Sequence, residues 1–484
     1  MARNIESTAA PILLAGQWVA GEGEPIQAVN PADGSIHGTA GTASTAQVAQ
    51  AVAAAAEAVD VGGWSDLRPH QRSAVLHRIS DLIRERATDI AWIQVGENGK
   101  TFKESLGQVM NAAGTFRYYA SVCETLPETL PPARGDYFCM TVHEPVGVVA
   151  AITPWNSPLT MGAQKLAPAL AAGNGVIMKP AEWTSLVSLE LGRACVDAGL
   201  PPGLVSILPG RGDVGQALVG DPGVGMVSFT GGTETGKIIA RAVAHRLIPV
   251  ILELGGKSPN IVLADADLDL AAVGVADGIF ASGGQSCVAG SRLLVDEAVY
   301  TPFMDRLLER TSRLRVGPPA DPETDIGPLA AFAHRERVEE YVEIGRQQGA
   351  EVLAGGKRPK GAVFDSGAYY LPTILTELTE TSRVFHEEIF GPVLAVMRFG
   401  SEDALIRQAN GTDFGLGCGI WTRDYPRAWR IAGAVKAGSV WINTYKQLSI
   451  AAPFGGFKDS GLGREKGIEG LRAYQQPKSV YWGL

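Results

Sequence analysis

The chain has 484 residues, which at roughly 150 residues per domain allows about three domains. Its 42 Lys and Arg against 51 Asp and Glu leave a net charge of −9, so neither nucleic acid nor an anionic membrane surface is the expected partner. With 45% apolar and 19% charged residues it can fill a large core and is not disordered, and its 59 glycines lack the triplet period of collagen. A loop-rich enzyme is the reading that remains.

Met1 to Gly23 carries acidic residues and no long apolar core, so no signal peptide is expected there. Gln47–Val59 is helical by its alanine content. Leu126–Arg134 is proline-rich, and Asp136–Val142 then alternates as a strand does. The charge-sparse run from Pro145 to Gln164 is long enough to cross a bilayer. Its Pro154, Trp155, Asn156 and Pro158 instead suit a strand followed by a loop, and a soluble cytoplasmic protein is expected.

From Val146 onward, short Val- and Ile-rich runs alternate with helical patterns in the rhythm of βαβ units. The strands are Val146–Ile152, Val176–Lys179, Leu204–Leu208, Met226–Phe229 and Val250–Leu254, apolar on both faces as covered parallel strands are. Helices fit between them at Met161–Ala172, Ser185–Ala198 and Thr233–Arg246, with Thr184 as N-cap and Gly173 and Gly199 just past helix ends. Ala473–Trp482 reads as a further strand outside this rhythm. With Asp136–Val142 it forms a candidate accessory element.

Two glycine motifs are decoys. Gly210, Gly212 and Gly215 spell GxGxxG but read as a strand-to-helix turn, and Gly256-Lys257-Ser258 lacks the first glycine of a P-loop and runs into Pro259. Five scattered cysteines show no CxxC pair and no disulfide framework, and no histidine pair has metal-ligand spacing. Cys287 stands apart from the other four because glycines crowd it, in Gly283-Gly284-Gln285-Ser286-Cys287, and so a substrate can reach its sulfur. Glu253 ends an apolar strand, where a carboxylate is either functional or turned to water. Asn156 offers amide donors on a loop after a strand. Phe229-Thr230-Gly231-Gly232 leads into the Thr233 helix, whose N-terminus suits a phosphate, and Lys179 and Glu182 end another strand.

These segments together resemble the aldehyde dehydrogenase superfamily over nearly the whole chain. Seven motifs occur in that family's order: Pro154-Trp155-Asn156; Lys179 to Glu182; Phe229 through Gly236; Leu252 to Lys257; Gly284 to Cys287; Glu387 to Pro392; and Pro453 to Lys458. The resemblance implies an α/β aldehyde dehydrogenase-like fold. It comprises a Rossmann-like NAD domain (1–126 and 146–255), an α/β catalytic domain (256–455, with 456–470 returning toward the NAD domain) and a small β oligomerisation element (127–145 and 471–484).

It also implies the roles. Cys287 would attack an aldehyde carbonyl as thiolate, and Asn156 with the Cys287 N–H would hold the oxyanion, one such donor contributing about 3 kcal/mol. Glu253 would activate water to hydrolyse the resulting thioester. Ile152, Thr153, Pro154, Trp155, Lys179, Glu182, Phe229, Thr230, Gly231, Gly232, Thr233, Leu254, Gly255, Glu388 and Phe390 would bind the cofactor. Glu182 favours NAD over NADP, although Lys179 could also serve a 2′-phosphate. Gly232 departs from the serine common in the family and removes a hydroxyl near the phosphates.

On the aldehyde side the resemblance places Ser157, Gln164, Ala281, Ser286, Val288, Leu448 and Phe454. Small or polar Ser157 and Gln164 imply a roomy, polar entrance and a polar or ring-derived catabolic aldehyde, and no arginine at these positions clamps a second carboxylate. Self-association as dimer or tetramer is expected. Two rivals are a CoA-acylating semialdehyde dehydrogenase, which Glu253 speaks against, and a non-catalytic binding protein on the same fold, against which Cys287, Glu253 and Asn156 stand together.

Overall fold

A computed structural model describes residues 9–484. The first eight residues, part of the stretch read as lacking a signal peptide, lie outside the described residues. All five apolar runs form strands, at Val148–Ile152, Gly175–Lys179, Val205–Ile207, Val224–Thr230 and Val250–Glu253. They are parallel and adjacent, in the order 205, 175, 148, 224, 250. Ile12–Leu14 and Gln17–Val19 extend one edge antiparallel, and Gly461–Leu462 closes the other against Val250–Glu253.

The chain leaves Val148–Ile152 toward one edge and returns to its other side at Val224–Thr230. Diverging connections open a crevice beyond the carboxyl ends of those two strands, the place where such sheets bind ligands. A second, seven-stranded sheet, with only Glu351–Ala354 antiparallel, runs from that edge strand through Thr373–Thr376, Val393–Phe399, Arg292–Asp296, Pro259–Val262 and Gly417–Trp421 to Ser439–Ile442.

The helices depart from the sequence reading in instructive ways. The first in the βαβ run spans Pro158–Ala171 and starts three residues early, because proline at the first turn forfeits no helical bond. Thr184 sits at the N-cap of Ser185–Asp197, but its side chain makes no capping bond. The Glu97 carboxylate does so instead, accepting from Leu186 N at 2.7 Å and Val187 N at 2.8 Å. Gly173 and Gly199 end their helices with φ of +96° and +84°, as expected. Between Val59 and Leu126, where no element was assigned, lie three helices at Pro69–Glu85, Ala87–Asn98 and Phe102–Thr125. Leu76, Ile79, Phe116 and Tyr119 from this layer share one core with Leu166 and Leu170.

Both decoys are resolved as structure. The GxGxxG is a turn into Gly212–Gly220, and Gly256-Lys257-Ser258 runs into the strand Pro259–Val262. Gln475–Gly483 pairs antiparallel with Tyr137–Pro145 and with no other strand among the described residues. This two-stranded ribbon leaves Phe138, Val480, Tyr481 and Trp482 exposed. No helix among the described residues is long and apolar enough to cross a membrane.

Candidate active site

After the helix Leu268–Phe280 the chain turns through Ser282, Gly283 and Gly284, all left-handed, with φ of +60°, +61° and +70°. A Cβ at Gly284 would lie 2.1 Å from the Gly391 carbonyl oxygen, so only glycine fits. Cys287 follows and is partly exposed, whereas the other four free cysteines are buried. Its N–H donates to no protein acceptor among the described residues. Asn156 reaches the same loop, its Nδ2 donating to the Gln285 carbonyl, two residues before Cys287, at 3.0 Å, and its second amide hydrogen has no acceptor among the described residues.

Glu253 is 3% exposed and neither carboxylate oxygen has a hydrogen-bond partner. A strand-end carboxylate facing water is thereby excluded. Burial raises its pKa well above the carboxylate range and the charge of Glu465 adds to this, while Lys165, Arg464 and Lys466 oppose it. Three residues on, a Cβ at Gly256 would meet the Cys287 carbonyl oxygen at 2.3 Å, so the Glu253 and Cys287 segments are in backbone contact. Burial pushes the Cys287 thiol up to about 12, with Glu253 and Glu388 adding and Lys466 opposing.

The residues read as cofactor ligands line the crevice at the carboxyl ends of the first sheet. Thr153 N bonds to the Lys179 carbonyl at 3.1 Å, and the Lys179 ammonium meets Glu182 at 3.2 Å and the Pro180 carbonyl at 3.1 Å. Ile152, Pro154 and Phe229 flank them, with the Phe229 ring 2.5 Å from where a Gly231 Cβ would sit. Gly232 is the N-cap of Thr233–Ala244, and nothing lies within 4 Å of its missing Cβ, so that helix end is open. Thr233 Oγ1 accepts from Gly255 N at 3.4 Å, and Leu254 N donates to the Ser460 carbonyl at 3.0 Å.

Glu388 accepts from Gly256 N at 2.8 Å, and burial raises it to about 7 against that N–H and Lys257. Phe390, at φ +61°, sets its ring edge-on to Trp155 at 5.3 Å. Thr153 Oγ1 and Thr230 Oγ1 are buried without partners. Trp183 and His334 were not singled out from the sequence. They pack on Trp155 at 5.2 and 5.0 Å, and His334, pushed down to about 4 by burial, bonds the Phe390 carbonyl at 2.8 Å.

Of the residues read as facing the aldehyde, Ser157 accepts through Oγ from Gln108 Nε2 at 3.1 Å. Ser286 is half-buried, Leu448 and Ala281 are exposed, and Val288 and Phe454 are buried. Gln164 corrects the reading of a polar entrance. It is 1% exposed and its amide bonds the Glu465 carboxylate, so it braces the interior and does not face solvent. Glu465 also pairs with Lys165 at 2.6 Å, Lys165 meets Ser228 Oγ at 3.1 Å, and Tyr474 OH donates to Ser228 at 3.0 Å. This buried network was missed because its members carry no motif and lie up to 301 residues apart.

A family model described as the aldehyde dehydrogenase family matches residues 18–480. A betaine aldehyde dehydrogenase of Bacillus subtilis is 39% identical over 97% of this chain and 96% of its own length. Among solved structures, an NAD-dependent aldehyde dehydrogenase from Sinorhizobium meliloti superposes with a TM-score of 0.96 at 38% identity, covering 99% of this chain and 95% of that one. A betaine aldehyde dehydrogenase from Staphylococcus aureus in complex with NAD+ gives 0.96 at 34% identity, over 100% of this chain and 96% of that one.

The contrast among the cysteines is testable without substrate. Iodoacetamide should label Cys287 alone in the native protein, at a rate that climbs through pH 9 without a plateau because burial pushes its thiol up to about 12. Peptide mass spectrometry across a pH series reads both features. A plateau near neutral pH would contradict the thiol's raised pKa.

Proposed function

The chain belongs to the aldehyde dehydrogenase family, and we propose that it oxidises an aldehyde to a carboxylic acid with NAD through covalent catalysis by Cys287. The observation that carries this is Glu253, a buried carboxylate without a partner on a segment packed against the Cys287 backbone. Burial raises its pKa well above the carboxylate range, which makes it a stronger base than an exposed carboxylate. The Cys287 thiol passes its proton by way of water to the Glu253 carboxylate as the sulfur bonds the carbonyl carbon, and Glu253 gives that proton up to solvent before the hydrolytic step. The free Asn156 amide hydrogen and the unused Cys287 N–H meet the oxygen that gains negative charge. NAD, when bound, accepts the hydride that leaves this carbon. Glu253 then takes a proton from water as its oxygen attacks the Cys287 thioester, the carbon–sulfur bond breaks, and the acid departs.

The residues present fit the cofactor. Two orphaned threonine hydroxyls, an open helix N-terminus at Gly232 and the half-exposed Glu182 carboxylate surround one crevice. Glu182 would hold the adenosine ribose, the Thr233 helix the pyrophosphate, and Glu388 with Phe390 the nicotinamide ribose. Lys179 is already committed to Glu182 and to a carbonyl, which favours NAD over NADP. Backbone N–H groups at Gly232 and Thr233 take the place of the absent serine hydroxyl. The substrate is a polar or ring-derived aldehyde, met by Ser157, Ser286 and Leu448 on the open side. The ribbon of Tyr137–Pro145 and Gln475–Gly483, with its exposed aromatic residues, is the self-association element, and by edge pairing it would join a second copy of this chain.

Three outcomes follow. A chemically varied aldehyde panel should yield NADH at a steady rate without CoA; turnover that requires CoA would give the acylating chemistry instead. Glu253→Gln should release one equivalent of NADH and stall as the acyl-enzyme, visible as a burst and as added mass on Cys287. Steady turnover in that variant would assign the water to another group. Removing residues 474–484 should reduce assembly in sedimentation velocity, and a truncated chain that assembles and turns over normally would remove the ribbon from that role.

A further inference from the structure

Three lysines on the Cys287 side of the cleft lack a counter-ion. The lysine ion pairs among the described residues are Lys165–Glu465, Lys179–Glu182, Lys237 with Glu234 and Asp459, and Lys478–Glu144. Lys100, Lys446 and Lys466 belong to none of them, and no hydrogen bond among the described residues engages their ammonium groups. Yet Lys100 is 4% and Lys466 8% exposed, and Lys446 is half-buried. A recessed ammonium without an anion is unfavourable, so such a group calls for a partner that arrives from outside.

Their positions converge. Lys100 lies between Asn98, whose Nδ2 donates to the Trp155 carbonyl at 3.2 Å, and Glu104, which accepts from Ser282 N at 2.7 Å and Ser282 Oγ at 3.0 Å. The segment that carries it is thus tied to both the Asn156 loop and the Cys287 loop, and Lys100 and Cys287 are both among the charges that act on Lys446. Lys446 sits on the loop after the strand Ser439–Ile442, two residues before Leu448. That loop is anchored by Trp441 Nε1 on the Gln447 carbonyl at 2.8 Å and by Gly467 N on the Ile450 carbonyl at 2.9 Å. Lys466 lies over the Phe454 ring at 4.9 Å.

Lys446 has φ +58°, and Lys466 has φ +61° with ψ 171°, backbone conformations that favour glycine. Strain is therefore kept at two lysines that flank one thiol. Burial and the like charge of Lys100 push Lys446 down to about 8, and Lys466 is lowered by burial against the pull of Glu465, Cys287 and Glu253.

We infer that the aldehyde oxidised by this chain carries a carboxylate remote from its carbonyl carbon, and that Lys446, supported by Lys100, receives it. The inference deepens the proposed function and rests on Cys287 as the nucleophile. Glu104 and Asp277 are the carboxylates that act on Lys446, and Glu104 acts on Lys100 as well; Glu104 accepts from Ser282, and Asp277 is neutralised by Arg310 at 3.1 Å. Two ammonium charges less one carboxylate leave a single positive charge, which matches a monoanion better than a phosphate dianion. A quaternary-ammonium aldehyde, the kind named for two of the relatives, would be repelled there. The motif positions contained no arginine, but the cations come from residues outside those positions.

The test compares succinic semialdehyde and terephthalaldehydic acid with their methyl esters, using the full chain and NAD+. The wild type should prefer each acid in kcat/KM. Lys446→Gln should lower the acid-to-ester ratio of kcat/KM by about 10- to 100-fold, mainly through KM, and Lys446→Arg should restore most of it. An unchanged ratio in Lys446→Gln, or a wild type indifferent to the charge, overturns the inference. Equal losses on acid and ester also overturn it, since they make Lys446 a partner of the thiol. Thermal melting and the Cys287 alkylation rate separate these results from misfolding. Silence with every aldehyde, together with no acyl adduct on Cys287, overturns the underlying reading and the inference with it.

Discussion

The contact between Gly256 and the Cys287 carbonyl is the constraint on which the site depends. With a methyl group excluded at 2.3 Å, the backbone that follows Glu253 lies directly on the backbone that carries the thiol. One segment leaves the last parallel strand of the first sheet, and the other leads into Arg292–Asp296 of the second. Gly284 repeats the device against Gly391, tying the same loop to the segment of Glu388 and Phe390. Glycine at these positions is a matter of distance between main chains, and the chemistry inherits its geometry from two rigid sheets.

Enclosure by those sheets has a common electrostatic result. Glu253, Glu388 and Cys287 are all driven toward their neutral forms by burial, and each carboxylate adds to the effect on the thiol. A site that disfavours standing negative charge raises the basicity of Glu253, which suits the general-base role proposed for it. In the proposed reaction, the donors at Asn156 and the Cys287 N–H would act where negative charge appears only for a moment, with little solvent to compete with them.

Behind Glu253 lies a buried ion pair, Lys165–Glu465, linked through Ser228 to Tyr474. Such a pair contributes little net stability after desolvation, so its effect is to hold charge at a fixed place near Glu253. Tyr474 directly precedes the strand Gln475–Gly483, and its carbonyl accepts from Asn174 Nδ2 at 3.0 Å. The accessory ribbon is therefore anchored by the same residue that closes the network under the active site.

The amino-acid sequence alone determined the five apolar strands and singled out the side chains proposed to react. Strands covered on both faces must be apolar throughout, and that pattern is local. Cys287 among glycines and Glu253 at an apolar strand end stand out for the same reason. The helical layer from Pro69 to Thr125 was not legible, because its signal lies in partners such as Leu166 and Leu170. Nor were the cap at Glu97, the aromatic packing of Trp183 and His334 on Trp155, or the bracing role of Gln164. Each depends on a group far away in the chain, such as Glu465, 301 residues beyond Gln164. Only the tertiary structure decided which lysines stand near the thiol without a partner, since a charge is paired or unpaired by distance in space and not by its neighbours along the chain.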